Sequence, residues 1–197
     1  MTTRRATIER KTSETEVRVT IDLDEAGTVE ASTGVPFFDH MLDQIGRHAR
    51  ISLQVSASGD LEIDAHHTVE DVGIALGEAL TQALADKRGI RRYGDALVPM
   101  EESLAQVALD ISGRPLLAYE ADIEAEQIGQ YDVALTEEFL QAFVRAAGLT
   151  LHAVLLRGKN AHHAIEAIFK ALAVALGEAV SIDPRAPDDV PSTKGAL

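Results

Sequence analysis

His66-His67-Thr68-Val69-Glu70-Asp71-Val72 and His162-His163-Ala164-Ile165-Glu166-Ala167-Ile168 are two near-copies of one stretch, in register at a separation of 96 positions (66 to 162, 67 to 163, 70 to 166). After each copy, apolar residues fall at helical spacing: Val69, Val72, Leu76, Leu80 and Leu84 in the first, Ile165, Ile168, Phe169, Leu172 and Leu176 in the second. A helix turns about 100° per residue, so adjacent histidines point in different directions, whereas the glutamate four residues after the first histidine shares its face. Each unit therefore offers His and Glu one way and a second His another. That geometry suits two separate metals. A lone HxxxE pair is usually a surface helix pair, but two in-register copies of HHxxE in a chain with only 7 histidines point to ligation. The zincin pattern H-E-x-x-H is absent.

Outward from these helices, the rest of the chain also reads as a repeat. Residues 4–21 alternate Val17, Val19 and Ile21 with polar side chains and predict strand, with Glu14 in the preceding turn. Residues 28–32 read as the partner strand of a hairpin turning at Glu25-Ala26-Gly27, and after Gly34-Val35-Pro36 a helix begins. Its apolar face is Phe37, Phe38, Met41, Leu42 and Ile45. His40, Gln44 and His48, spaced by four, form a separate polar stripe. Short strands are expected at 51–55 and 61–63, and the first His-His helix is expected to end near Lys87-Arg88-Gly89. Residues 90–95 read as a joint. The second half repeats the order with strands at 104–111 and 116–123, a helix over 135–147, strand 149–156 and the second His-His helix. Two halves, 1–92 and 93–183, and an irregular proline-rich tail, 184–197, are therefore expected. With two helices per half covering one sheet face, the fold class is α+β: internally duplicated two-layer halves, four helices packed between two mixed sheets.

Composition narrows the function. The 197 residues are 46% hydrophobic and 25% charged, an ordinary globular balance. A formal net charge of −14 argues against nucleic-acid binding, whose affinity rests on neutralising phosphates. The absence of cysteine excludes disulfides and thiolate ligands and fits a reducing compartment. No apolar run approaches a membrane span of about 18 residues, and the N-terminal stretch has no signal-peptide core. The expected location is cytoplasmic, with no nucleic-acid or membrane partner.

If a pseudo-twofold relates the halves, a site made of His40, His67, His162 and Glu166 maps onto one made of His66, Glu70, position 138 and His163. Imidazole with carboxylate suits Mn, Fe or Zn, and four protein ligands on an octahedral ion leave two positions open for catalysis. Such a set can be drawn from one chain or from several.

The pieces GVPFFDHMLDQIGRH, DAHHTVEDVGIALGEAL, KRGIRRYGD, DISGRP, GKNAHHAIEAIFKAL and PSTKGAL, in that order, resemble the imidazoleglycerol-phosphate dehydratase family of histidine biosynthesis over essentially the whole chain. The resemblance implies a metal-dependent dehydration of imidazole glycerol phosphate to imidazole acetol phosphate, with two Mn²⁺ per active site. It also implies a homo-oligomer, a 24-subunit shell built from trimers, with active sites between subunits. Carried onto this chain, it assigns His40, His67, His162 and Glu166 to one metal, and His66, Glu70, His163 and position 138 to the other. The family often has histidine where this chain has Glu138; a carboxylate still ligates Mn²⁺, and otherwise a water takes that place. Glu14 is implied as the proton-shuttling carboxylate, with Glu166 a second candidate. Arg92, Arg114, Lys170 and the Ser192-Thr193-Lys194 tail match positions that hold the substrate phosphate, and Gln44 and His48 would line the cavity.

Two other readings compete. Paired metals beside a phosphate site also serve a two-metal phosphate-ester hydrolase, and a metal-binding shell without turnover is the non-enzymatic option. His152 reads as structural, and Asp39 and Asp71 as charges favouring helix N-termini.

Overall fold

The computed structural model describes residues 3–195; Met1, Thr2, Ala196 and Leu197 lie outside the described residues, so the first half, the tail and the PSTKGAL motif are seen without those ends. The first half contains strands β1 (Arg5–Lys11), β2 (Thr15–Asp22), β3 (Val29–Ser32) and β4 (Ser52–Gly59) and helices α1 (Pro36–Ala49) and α2 (His66–Leu84). The second contains β5 (Tyr93–Met100), β6 (Ser103–Asp110), β7 (Leu116–Glu120), a two-residue pair β8 (Gln127–Ile128) and β9 (Tyr131–Asp132), α3 (Leu135–Ala147), β10 (Thr150–Arg157) and α4 (Ala161–Val180).

The two four-stranded sheets have matching orders, β1-β2-β4-β3 and β5-β6-β10-β7. Their registers match as well. Arg5 pairs with Asp22 as Tyr93 pairs with Asp110, and Ile21 pairs with Leu53 as Leu109 pairs with Leu151. Alternation drives this: Val17, Val19 and Ile21 on β2 and Ala105, Val107 and Leu109 on β6 turn one face inward. The helices lie between the sheets. α2 covers β1 and β2, α4 covers β5 and β6, and each helix pair crosses the halves, α2 against α3 and α1 against α4.

Small residues set the closest approach. A Cβ on Gly73 would stand 2.9 Å from the Phe139 carbonyl, and one on Gly77 would stand 2.6 Å from the Ala146 Cβ, so α2 and α3 sit nearly backbone to backbone. Phe38, Phe139, Phe143 and Phe169 fill the centre, with Phe38 edge-on to Phe139 at 5.3 Å and Phe139 stacked on Phe169 at 5.4 Å.

Several expectations change. The 28–32 strand is not the hairpin partner of β2; β3 runs parallel to β4, because α1 supplies the crossover that parallel strands require. The strand over 51–55 runs on to Gly59, while 61–63 is a turn. The 90–95 joint leads directly into a full strand, β5. Its inward positions are Gly94 and Ala96, because α4 lies so close that a Cβ on Gly94 would overlap the Ala175 carbonyl. The first His-His helix stops at Leu84 rather than near Gly89, with Ala85 at φ 47. Gly89, at φ +71, instead bonds the tail through the Asp189 carbonyl at 2.8 Å. The tail is irregular, as expected.

Candidate active site

α1 and α4 come from different halves, and their contact brings His40, His162 and Glu166 together. One ligand atom from each lies within 4.8 Å of the others, and among the described residues they form a group able to hold a metal ion. His162 Nε2 is 3.1 Å from Glu166 Oε2, as the four-residue spacing dictates, and His40 Nε2 is 3.6 Å from the same oxygen. Phe37 packs edge-on to His162 at 5.1 Å and helps fix its ring. The side chain of Glu166 is only 7% exposed, and Lys170 one turn on donates to its other oxygen at 2.7 Å. Burial pushes the Glu166 pKa up, but Lys170, His40 and His162 outweigh it and hold the carboxyl ionised, below its ordinary value. An anionic oxygen beside two imidazoles is a donor set that fits a divalent cation.

The polar stripe of α1 leads away from this cluster. Gln44, buried at 7% exposure, lies 3.4 Å from His40 Nδ1, and its Oε1 lies 3.1 Å from His48 Nε2. Partial desolvation and the Lys170 ammonium hold the His48 imidazole below its usual pKa.

His67, assigned by resemblance to the same metal, is not part of this cluster. Its Nδ1 faces Asp60 Oδ2 at 2.9 Å and Glu14 Oε2 at 3.9 Å. Gly59 makes that possible, since a Cβ there would collide with Thr68 Oγ1 and push the end of β4 off α2. The hydrogen bond that Nδ1 donates to Asp60 raises the His67 pKa and leaves Nε2 as the ring nitrogen outside that bond. The second set is likewise split. His66 and Glu138 line one cavity of about 470 Å³ with Asp64 and Leu61, and Glu70 is half-buried one turn along α2. His163 instead gives its Nδ1 to Glu102 Oε2 at 2.8 Å.

The basic residues assemble elsewhere. Arg92, at φ 73, forms a fork on Asp110 at 2.6 and 3.0 Å and donates to the Pro191 carbonyl at 2.9 Å, which ties the tail down. Arg114 Nη2 stands 3.9 Å from Asp110, with its side chain 68% exposed. Ser192, half-buried, and exposed Thr193 and Lys194 follow directly. Lys170 is not among them; it sits at the metal cluster.

Residues the sequence did not single out also matter here. Asp60 and Glu102 each hold a histidine of the two HH pairs. The signal for Glu102 was positional: it occupies the β5–β6 turn as Glu14 occupies the β1–β2 turn, 88 positions earlier. Asp39 and Asp71 are not mere helix-end charges. Asp39 accepts from the Thr33 amide and hydroxyl at 2.8 and 2.7 Å, and Asp71, beyond the first turn of α2, is paired with Arg10 at 2.8 Å and accepts from the Thr15 hydroxyl. His152 is exposed on the outer face of its sheet.

A duplicated α+β scaffold that closes two imidazoles and a carboxylate on one point defines a protein with a metal-binding His/Glu centre. The sequence model described as imidazoleglycerol-phosphate dehydratase matches residues 33–176. The chain is 54% identical over 194 residues to the imidazoleglycerol-phosphate dehydratase of Rhodopseudomonas palustris (strain TIE-1), covering 98% of each. It is 56% identical to that of Ralstonia pickettii (strain 12J), covering 98% of this chain and 99% of the relative. The crystal structure of the Staphylococcus aureus enzyme superposes with a TM-score of 0.83 at 41% identity, over 91% of this chain and 99% of that one. The Pyrococcus furiosus structure also gives 0.83, at 35% identity, over 96% and 100%. The chain belongs to the imidazoleglycerol-phosphate dehydratase family, hydro-lyases of histidine biosynthesis.

Proposed function

We propose that this chain dehydrates imidazole glycerol phosphate to imidazole acetol phosphate in the cytoplasm, with two Mn²⁺ per active site. The observation that carries this reading is the convergence of His40, His162 and Glu166 from two helices of opposite halves. His67 completes that ligand set, and His66, Glu70, Glu138 and His163 hold the second ion. When bound, the metals supply Lewis acidity toward the two ring nitrogens of the substrate. Everything else falls to the chain's own groups.

The elimination breaks one C–O and one C–H bond of the glycerol side chain and releases water, leaving an enol that becomes the ketone. Glu14 accepts the carbon-bound proton and returns a proton during tautomerisation; its half-exposed carboxylate beside His67 supports this role. Glu166, held ionised by Lys170 and two histidines, serves better as a ligand than as an acid. Gln44 and His48, next to His40 on α1, line the substrate cavity. Arg92, Arg114, Ser192, Thr193 and Lys194 bind the phosphate from one side, and Lys170, seated beside Glu166, meets it from the metal-cluster side.

The ligand sets also support an assembly. His67 is turned away from the His40 cluster, and the Arg92–Arg114 group lies at the far end of α4 from it, so a complete site needs residues from more than one copy. A 24-subunit shell of trimers with sites between subunits meets that need. The two halves meet at 92/93, and the tail serves the phosphate site.

The test is product analysis. Metal-loaded protein given imidazole glycerol phosphate is expected to yield ketone without inorganic phosphate, and to stop when the metal is chelated. Released phosphate in place of ketone would instead establish the two-metal ester hydrolase.

A further inference from the structure

The two halves use equivalent turns in opposite ways. Glu14 and Glu102 are each the last residue of the turn joining two antiparallel strands, and the flanking registers coincide, with Lys11 opposite Glu16 as Pro99 is opposite Leu104. Each turn abuts the helix that begins with a His-His pair, and each carboxylate approaches the second histidine of its pair. There the likeness ends. Glu102 is fully engaged: one oxygen accepts from the amides of Asn160 and Lys159 at 2.8 and 3.2 Å, and the other from His163 at 2.8 Å. The turn carboxylate itself pins the β5–β6 turn to the start of α4.

Glu14 makes no such bonds to α2. Its carboxylate is 51% exposed and stands 3.9 Å from His67. The β1–β2 turn is nonetheless held to α2, by a residue of the helix. Asp71, with its side chain 9% exposed, takes the Arg10 guanidinium of β1 on one oxygen at 2.8 Å and the Thr15 hydroxyl of β2 on the other. Thr12 closes the turn between them, its hydroxyl accepting from the amides of Glu14 and Thr15 at 3.1 and 3.0 Å. The position equivalent to Asp71 in α4 is Ala167, where Glu102 has already done the pinning.

We propose that Asp71 is a positioning residue that clamps the Glu14 turn onto α2, and by doing so leaves the Glu14 carboxylate free to exchange protons with substrate. The duplicated chain thus has two turn carboxylates with divided tasks: Glu102 holds a helix start and a histidine, while Glu14 is released because a second carboxylate replaces it as the tether. A paired, hydrogen-bonded Asp71 restrains both strands on either side of the turn, and a displacement of about 1 Å at a proton-transfer group lowers turnover by up to about a hundredfold.

This inference rests on the assignment of Glu14 as the proton-transfer group, and a double-mutant cycle separates the two. Asp71→Asn, Glu14→Gln and the double variant are compared as assembled, metal-loaded protein, with metal content measured alongside. Thr15→Val, which releases the clamp from the strand side, covers the case in which Asp71→Asn fails to assemble. Asp71→Asn and Thr15→Val are each expected to lower kcat about tenfold or more with KM within about twofold, full metal content, and no further loss in the Glu14→Gln background. Wild-type kcat in both clamp variants while Glu14→Gln is inactive overturns the clamp and spares Glu14. A loss that persists undiminished in the Glu14→Gln background, or that tracks lost metal, also overturns the clamp. Full activity of Glu14→Gln removes the role of Glu14 and the clamp's purpose with it.

Discussion

Glu102 gives the sharpest residue-scale consequence. The Asn160 amide first, then His163 and the Lys159 amide, hold its carboxyl down to about 2, from an ordinary 4.5. A depressed folded-state pKa stabilises the fold above the unfolded value, and the contribution disappears as pH falls through the folded one. Glu102→Gln in metal-free protein is therefore expected to melt below wild type at neutral pH, with the gap closing between about pH 4.5 and about pH 2. Melting curves across that range check it; a gap constant with pH would show that the charge of Glu102 is not what holds the start of α4. Residues of this kind lie beyond what a sequence pattern shows. His66, His67, His162, His163 and their glutamates announced themselves by a spacing repeated in register. Asp60, Glu102 and the partners of Asp71 carry no local pattern, because each meets its histidine or strand through a turn whose closure depends on the sheet around it.

At the scale of elements, the His66 and Glu138 positions depend on how closely α2 and α3 pack. That distance is set by Gly73 and Gly77 against Phe139, Phe143 and Ala146. Alanine is the better helix former by about 1 kcal/mol, so Gly77→Ala would stabilise an uncrowded α2. Here its Cβ would lie 2.6 Å from the Ala146 Cβ and 2.7 Å from the Phe143 carbonyl, and neither backbone can yield without moving a helix. Overpacking of this kind costs about 1–3 kcal/mol. The expected net result is destabilisation in denaturant unfolding of metal-free protein, together with weakened metal at the His66–Glu138 cavity; a stabilised variant would mean that the helices are free to part. Helices and alternating strands were legible because burial imposes their periods. β5 escaped notice because the same close packing, α4 on Gly94, selects small inward residues where a strand usually shows bulky ones. The neighbour of β3 is not legible from the nearest turn, because its parallel pairing with β4 is settled by the α1 crossover.

At the scale of the whole molecule, α4 separates the metal cluster from the cations proposed to hold the phosphate. Glu166 lies near its start, while the Arg92 amide bonds the Ala179 carbonyl near its end, a span of about 20 Å at 1.5 Å per residue. An imidazole three carbons from its phosphate cannot bridge that distance, so the proposed function requires one copy's metal cluster to work with another copy's Arg92, Arg114 and tail. The net charge of −14 sharpens the point, since an anionic substrate is drawn in only where cations gather locally. Sites shared in this way would permit complementation. His40→Ala removes a metal ligand and Arg114→Ala a phosphate cation, so each is expected to be inactive alone. Assembled together in equal amounts, a site is intact when its metal side comes from an Arg114→Ala copy and its cation side from a His40→Ala copy. Random mixing makes about a quarter of the sites whole. Recovery of about a quarter of wild-type turnover in co-assembled protein, with none on mixing subunits that cannot exchange, is the expected result. Co-assembled protein as inactive as either parent would place the cations and the metals of each site on one chain, and would require α4 to bend or the tail to swing across its length.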